Sequence, residues 1–175
     1  MGVKDKILRQ KAKKVTDIDK KILSLISDMK ETLNAQKDPQ GIGLAAPQVG
    51  KSLRIFITNF KNFQRVVINP KVLEKEKVPT KDKPSGGKAP EEPLEGCLSI
   101  VNYYGPLTRS HRIKLSYENE TGERITEEFK GFEAQIVQHE LDHLEGILFT
   151  DRLLKENRPL YKVKGEDFEK VDFEI

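Results

Sequence analysis

Gln138-His139-Glu140-Leu141-Asp142-His143 is the stretch on which the fold turns. On an α-helix, residues i and i+4 stack on one face, so the imidazoles of His139 and His143 can close on a single metal ion. Glu140 lies between them and is the expected general base. Phe132 and Ile136 continue the histidine stripe, while Val137, Leu141 and Leu144 form a second one, so this helix reads as buried in a core. It is expected to follow Gly131 and to end at Gly146, a residue suited to terminating helices. A helical histidine is more often a satisfied structural residue than a ligand. Here two of the chain's three histidines fall in this frame, and an unpaired imidazole on an apolar stripe is costly.

The pair needs a third donor, and the identity of that donor sets the class. Zinc peptidases recruit a Glu from a later helix or a His soon after the motif. No histidine follows His143, and Pro159 and Gly165 break up the segment that carries Glu156 and Glu166. Cys97, the only cysteine, sits in Glu95-Gly96-Cys97-Leu98-Ser99 and is the better candidate. It would leave a fourth position for water, as catalytic sites do. Three alternatives stand beside it. Cys97 can be a buried structural residue. The chain can be a peptidase with another third ligand. It can also be an RNA- or ribosome-associated module with a structural metal, for which His111 is the remaining candidate ligand.

Outward from the motif, Arg112 to Tyr117 and Glu123 to Phe129 alternate polar and apolar around Asn119-Glu120-Thr121-Gly122, which reads as a hairpin. Leu53 to Thr58 and Arg65 to Ile68 read as a second hairpin, closed by Asn69-Pro70. A helix is expected from a Thr16 cap to about Asn34, with Ile18, Ile22, Leu25, Ile26, Met29 and Leu33 at helical spacing. Gly41 to Gly50 is too rich in Gly and Pro for a regular helix. It reads as a close backbone approach, with a buried turn as the plain alternative. Residues 74–93 are dense in Lys, Glu, Pro and Gly and are expected to be a mobile surface loop. Leu160 to Lys164 and Val171 to Ile175 look like strands around Gly165, a terminal segment of about 160–175.

At 175 residues the chain is expected to be one domain. With 36% hydrophobic and 34% charged residues it has a soluble, heavily charged surface, and the net charge of +3 is too small and too interleaved to argue for nucleic acid. No run reaches the roughly 18 apolar residues of a membrane helix, and Met1 to Gln10 lacks an apolar signal core. A lone cysteine fits a reducing, cytoplasmic compartment.

Three motifs in order make the chain resemble the peptide deformylases: Gly41 to Gln48, Glu95 to Ser99 and Gln138 to His143, with Ile7-Leu8-Arg9, Asn69-Pro70 and Leu148 to Arg152 in support. The resemblance runs from about residue 7 to 153. It implies an α+β domain of antiparallel strands around a central metal-binding helix. It implies Cys97, His139 and His143 as ligands of one divalent ion, Fe(II) with Zn, Ni or Co able to substitute. Glu140 would be the base, and the Gln48 side chain and Leu98 backbone N–H the donors to a developing oxyanion. The substrate implied is an N-formylmethionyl nascent peptide, lying against Ile42, Gly43 and Leu44 on one side, Glu95 and Gly96 on another, and Phe132 and Ile136 of the helix. No membrane or specific nucleic acid is expected as a partner. The ribosome is at most a transient one, since a terminal strand is expected where some members carry a long basic helix that docks there, and a monomer is the default. Arg109 could pair with Asp142 behind the site. Val101 and Tyr104 stand where many members carry Pro and Arg, and Glu133 and Gln135 where the helix is usually apolar, which leaves side-chain preference open.

Overall fold

The computed structural model describes residues 5–37, 40–76, 94–165 and 167–173. Among the described residues there are two antiparallel sheets and three α-helices. The larger sheet has the order β1-β2-β3-β6-β7, formed by Gly43–Ala45, Ile55–Phe60, Phe63–Lys75, Arg112–Glu118 and Arg124–Lys130. The smaller has the order β4-β5-β8-β9, formed by Leu94–Cys97, Ile100–Pro106, Leu160–Lys164 and Asp167–Val171. Helix α1 spans Lys20–Ala35, the motif helix α2 spans Gly131–Leu144, and α3 spans Phe149–Lys155.

Alternation along β2 explains how the large sheet is covered on both faces. Successive side chains of a strand point to opposite sides. Phe56 joins Val67, Ile113, Leu115 and Phe129 in a core closed by Ala134, Ile136, Val137 and Leu144 of α2. Ile55 and Ile57 face the other way, where Ile26, Met29 and Leu33 of α1 cover them. The motif helix is therefore central and α1 lies outside, as the sequence pattern implies. A third cluster, with Cys97, Ile100, Leu148, Phe149, Leu153 and Leu160, fastens α3 to the small sheet.

Several boundaries differ from the sequence reading. Helix α1 starts at Lys20, not near Thr16: the Asp19 carboxylate accepts from the N–H groups of Lys21 and Ile22 and caps it. Asn69-Pro70 does not end β3. The strand continues to Lys75 through irregular register between Ile68 and Lys71, and a bulge tolerates a proline that a regular ladder would not. Residues 74 and 75 accordingly belong to a strand, and 77–93 of the expected loop lie outside the described residues. Helix α3 was not anticipated; its first turn is tied by the Asp151 carboxylate accepting from the Leu148 N–H at 2.8 Å. The terminal hairpin exists, but its second strand begins at Asp167 rather than Val171.

Asn69 holds the bulge with φ +51°, a left-handed conformation that asparagine tolerates better than most residues. Its side chain accepts from the Val15 N–H at 2.9 Å and donates to Val15 O at 2.8 Å and Glu118 at 2.9 Å. One side chain thus pins the N-terminal segment to β3 and β6. Asn69→Ala is expected to lower unfolding free energy by about 2 kcal/mol or more, from backbone strain and lost hydrogen bonds together. Urea unfolding checks this, and an unchanged midpoint would contradict it.

Candidate metal centre

Cys97 ends β4, while His139 and His143 project from α2, so the centre lies where the small sheet meets the helix that fills the large one. Cys97 Sγ is 3.2 Å from His143 Nε2. One ligand atom from each of Cys97, His139 and His143 falls within 4.8 Å of the others. A tetrahedral ion with ordinary sulfur and nitrogen bond lengths holds such atoms about 3.5 Å apart, so this donor set fits a metal. Neither Glu156 nor His111 belongs to the group among the described residues. A different third ligand and a closed four-residue site therefore find no support there.

The tautomer of His139 follows from its back side. Its Nδ1 meets Glu95 Oε1 at 2.6 Å, which leaves Nε2 for the centre. Glu95 is in turn gripped by Arg109, through Nε at 2.9 Å and a terminal nitrogen at 2.5 Å. The other arm of Arg109 reaches Asp142 at 2.6 Å, and Asp142 also accepts from Arg152. Burial would raise the Glu95 carboxyl, but Arg109 and His139 overcome it and hold it at about 2. Burial would likewise raise the Cys97 thiol, yet His143 and His139 hold it well below its usual value, in the thiolate form a metal ligand needs.

Gln48 enters from the 3-10 turn Ala46–Val49 that follows β1. The Ala45 N–H donates to Gln48 Oε1 at 2.8 Å, so the amide nitrogen must face inward. It donates to Cys97 Sγ at 3.5 Å and Ser99 Oγ at 3.2 Å. The glycine run before it serves close approach: a Cβ at Gly43 would stand 2.3 Å from Glu140 Oε1. Glu140 is buried, and its Oε2 has no hydrogen-bond partner among the described residues, a property it shares with His143 Nδ1. Burial pushes the Glu140 carboxyl up to about 7, with the two imidazoles pulling it down and the Cys97 sulfur adding to the rise.

These groups border a cavity of about 200 Å³. Of the residues expected to meet a peptide, Ile42, Gly43, Glu95, Gly96, Phe132 and Ile136 line it, as do Gln48 and Leu98. Leu44 does not: its side chain turns into the α1 core and is buried there. Glu95 is spent on His139 and Arg109, a role the sequence reading missed. The spacing alone gave no signal for it, because its partners come from a distant loop and a helix.

Comparison with known proteins agrees with this geometry. The family described as polypeptide deformylase matches residues 1–159. The peptide deformylase of Pseudothermotoga lettingae is 40% identical over 154 residues, spanning 88% of this chain and 81% of that protein. That of Thermotoga maritima is 39% identical over 165 residues, spanning 93% and 91%. The crystal structure of the Thermotoga maritima enzyme superposes with a TM-score of 0.73, covering 86% of this chain and 93% of that one at 40% identity. A peptide deformylase from Legionella pneumophila gives 0.74 at 32% identity, covering 87% and 83%.

Removing the guanidinium tests the scaffold behind the ligands. Arg109→Met leaves Glu95 and Asp142 buried with fewer partners, and breaking such a cluster costs about 3–5 kcal/mol. Urea unfolding should show that loss, and Arg109→Lys a smaller one because it cannot fork between two carboxylates. A midpoint unchanged by Arg109→Met would contradict the assignment.

Proposed function

The chain belongs to the polypeptide deformylase family and hydrolyses the N-formyl group from nascent polypeptides, and we propose that Cys97, His139 and His143 hold its divalent metal while Glu140 serves as general base and Gln48 with the Leu98 N–H binds the developing oxyanion. The observation that carries this division is the convergence of one sulfur and two imidazoles beside a buried carboxylate that has an unengaged oxygen.

When bound, the ion supplies Lewis acidity, polarising the formyl carbonyl and acidifying a water molecule. Fe(II) is the native ion in this reading, with Zn, Ni and Co as substitutes. One thiolate and two imidazoles suit all of these. Glu140 takes the proton from the attacking water and delivers it to the departing amine. A carboxyl near neutrality can do both, and such transfer contributes about 10²–10⁴ in rate. Gln48 Nε2, fixed by the Ala45 N–H behind it, donates to the formyl oxygen as charge collects there. Glu95 keeps His139 in the tautomer that faces the centre.

The peptide lies between the Ile42-Gly43 edge and Gly96, with Phe132 and Ile136 of α2 forming the floor under the methionine. Residues 1–175 act as a single domain in this reading, as a cytoplasmic monomer that meets the ribosome transiently. No helix of the described residues is long and apolar enough to cross a membrane.

The test is formate release from a formyl-Met peptide by protein purified without oxygen, with metal measured on the same sample. Activity that tracks one equivalent of metal is expected. Metal-loaded protein that releases no formate would overturn the reading. Gln48→Ala should fold and keep its metal yet lose at least about a hundredfold in turnover; wild-type turnover would remove Gln48 from the oxyanion site.

A further inference from the structure

The family match ends at residue 159, and the β8–β9 hairpin follows it directly. This hairpin reaches the cavity at Tyr104. β8 pairs with β5 at Tyr104↔Tyr161, and β9 pairs with β8 at Val163↔Phe168. The Phe168 ring meets the Tyr104 ring edge-on, with centroids 5.9 Å apart and planes at 84°. Tyr104 lines the same cavity as Cys97 and Glu140.

The other side of Tyr104 is equally constrained. Tyr104 stands opposite Gly96 across the β4–β5 ladder, and Gly96 immediately precedes the ligand Cys97. A Cβ on Gly96 would lie 2.5 Å from Tyr104 Cε1, so the ring lies directly over the glycine. Tyr104 is thus clamped between Gly96 and Phe168, about one strand step from a metal ligand. The cavity lining includes one member of a second aromatic pair, Phe132 packed edge-on against Phe60 at 4.9 Å. Phe132, which lines the cavity, is 45% exposed, high for an aromatic residue, so it offers apolar surface to a bound chain.

We propose that the C-terminal hairpin sets substrate preference: Phe168 positions Tyr104 as a rigid aromatic wall that favours large aliphatic or aromatic side chains immediately after the formylmethionine. The inference rests on the cavity being the formyl-peptide cleft. A wall already held in place loses little freedom when the substrate arrives, so its contact appears as affinity. Tyr104 touches the substrate; Phe168 acts only through Tyr104 and is a positioning residue.

The test compares formyl-Met-Ala, formyl-Met-Leu and formyl-Met-Phe peptides on the metal-loaded wild type, Phe168→Ala and Phe168→Leu. The wild type should favour Phe and Leu over Ala by about tenfold in kcat/KM, the scale on which apolar pockets discriminate. Phe168→Ala should erase most of that ratio through higher KM for the large side chains with kcat retained, and Phe168→Leu should restore part of it. A wild type without the preference, or a Phe168→Ala variant that keeps the ratio or loses it through kcat, overturns the proposal. A wild type that releases no formate from any of the three fails the functional reading instead.

Discussion

Arg109 is the constraint on which the centre depends. The candidate ligands come from two elements that share no hydrogen-bonded ladder: Cys97 from the small sheet and the histidines from α2. One buried guanidinium ties them, gripping Glu95 of β4 with one edge and Asp142 of α2 with the other. Because Glu95 also meets His139, the same interaction that fixes strand against helix fixes a ring of the candidate centre. Such a charge cluster is a poor source of net stability, since desolvation offsets most of the attraction. Its worth lies in geometry: few other arrangements of these two elements satisfy every charge.

The polar residues of α2 illustrate how a buried helix separates structure from chemistry. Gln138 is consumed by the Ser110 backbone, accepting at 3.1 Å and donating at 2.8 Å. Asp142 is consumed by Arg109 and Arg152, and His139 Nδ1 by Glu95. Among the described residues, the buried side-chain atoms left without a partner are Glu140 Oε2 and His143 Nδ1. Buried polar groups without partners are rare in native proteins, and one left so beside a cysteine and two histidines supports the proton-transfer role proposed above for Glu140.

Much of this was legible in the sequence. The i, i+4 histidines, the two apolar stripes of α2 and the hairpin alternation of β6 and β7 are local patterns, and local patterns survive folding. The glycine run signalled close approach, and Gly43 against Glu140 is that approach. What escaped was set by partners far along the chain. That Glu95 also binds Arg109 and His139 could not be read from its own motif. Leu44 sits within a motif of the site yet alternates away from it, because β1 is a strand and neighbouring side chains face opposite sides. Pro70 looked like a terminator because its bulge depends on Asn69 reaching Val15 and Glu118. The aromatic pair Tyr104–Phe168 spans 64 positions of sequence, and nothing local announces it.

The convergence of one thiolate and two imidazoles is most directly tested by X-ray absorption at the metal edge of zinc-substituted protein. One sulfur at about 2.3 Å and two imidazole nitrogens at about 2.0–2.1 Å are expected in the first shell. A shell of nitrogen and oxygen alone, with no sulfur scatterer, would show that Cys97 is not a ligand and would contradict the centre described above.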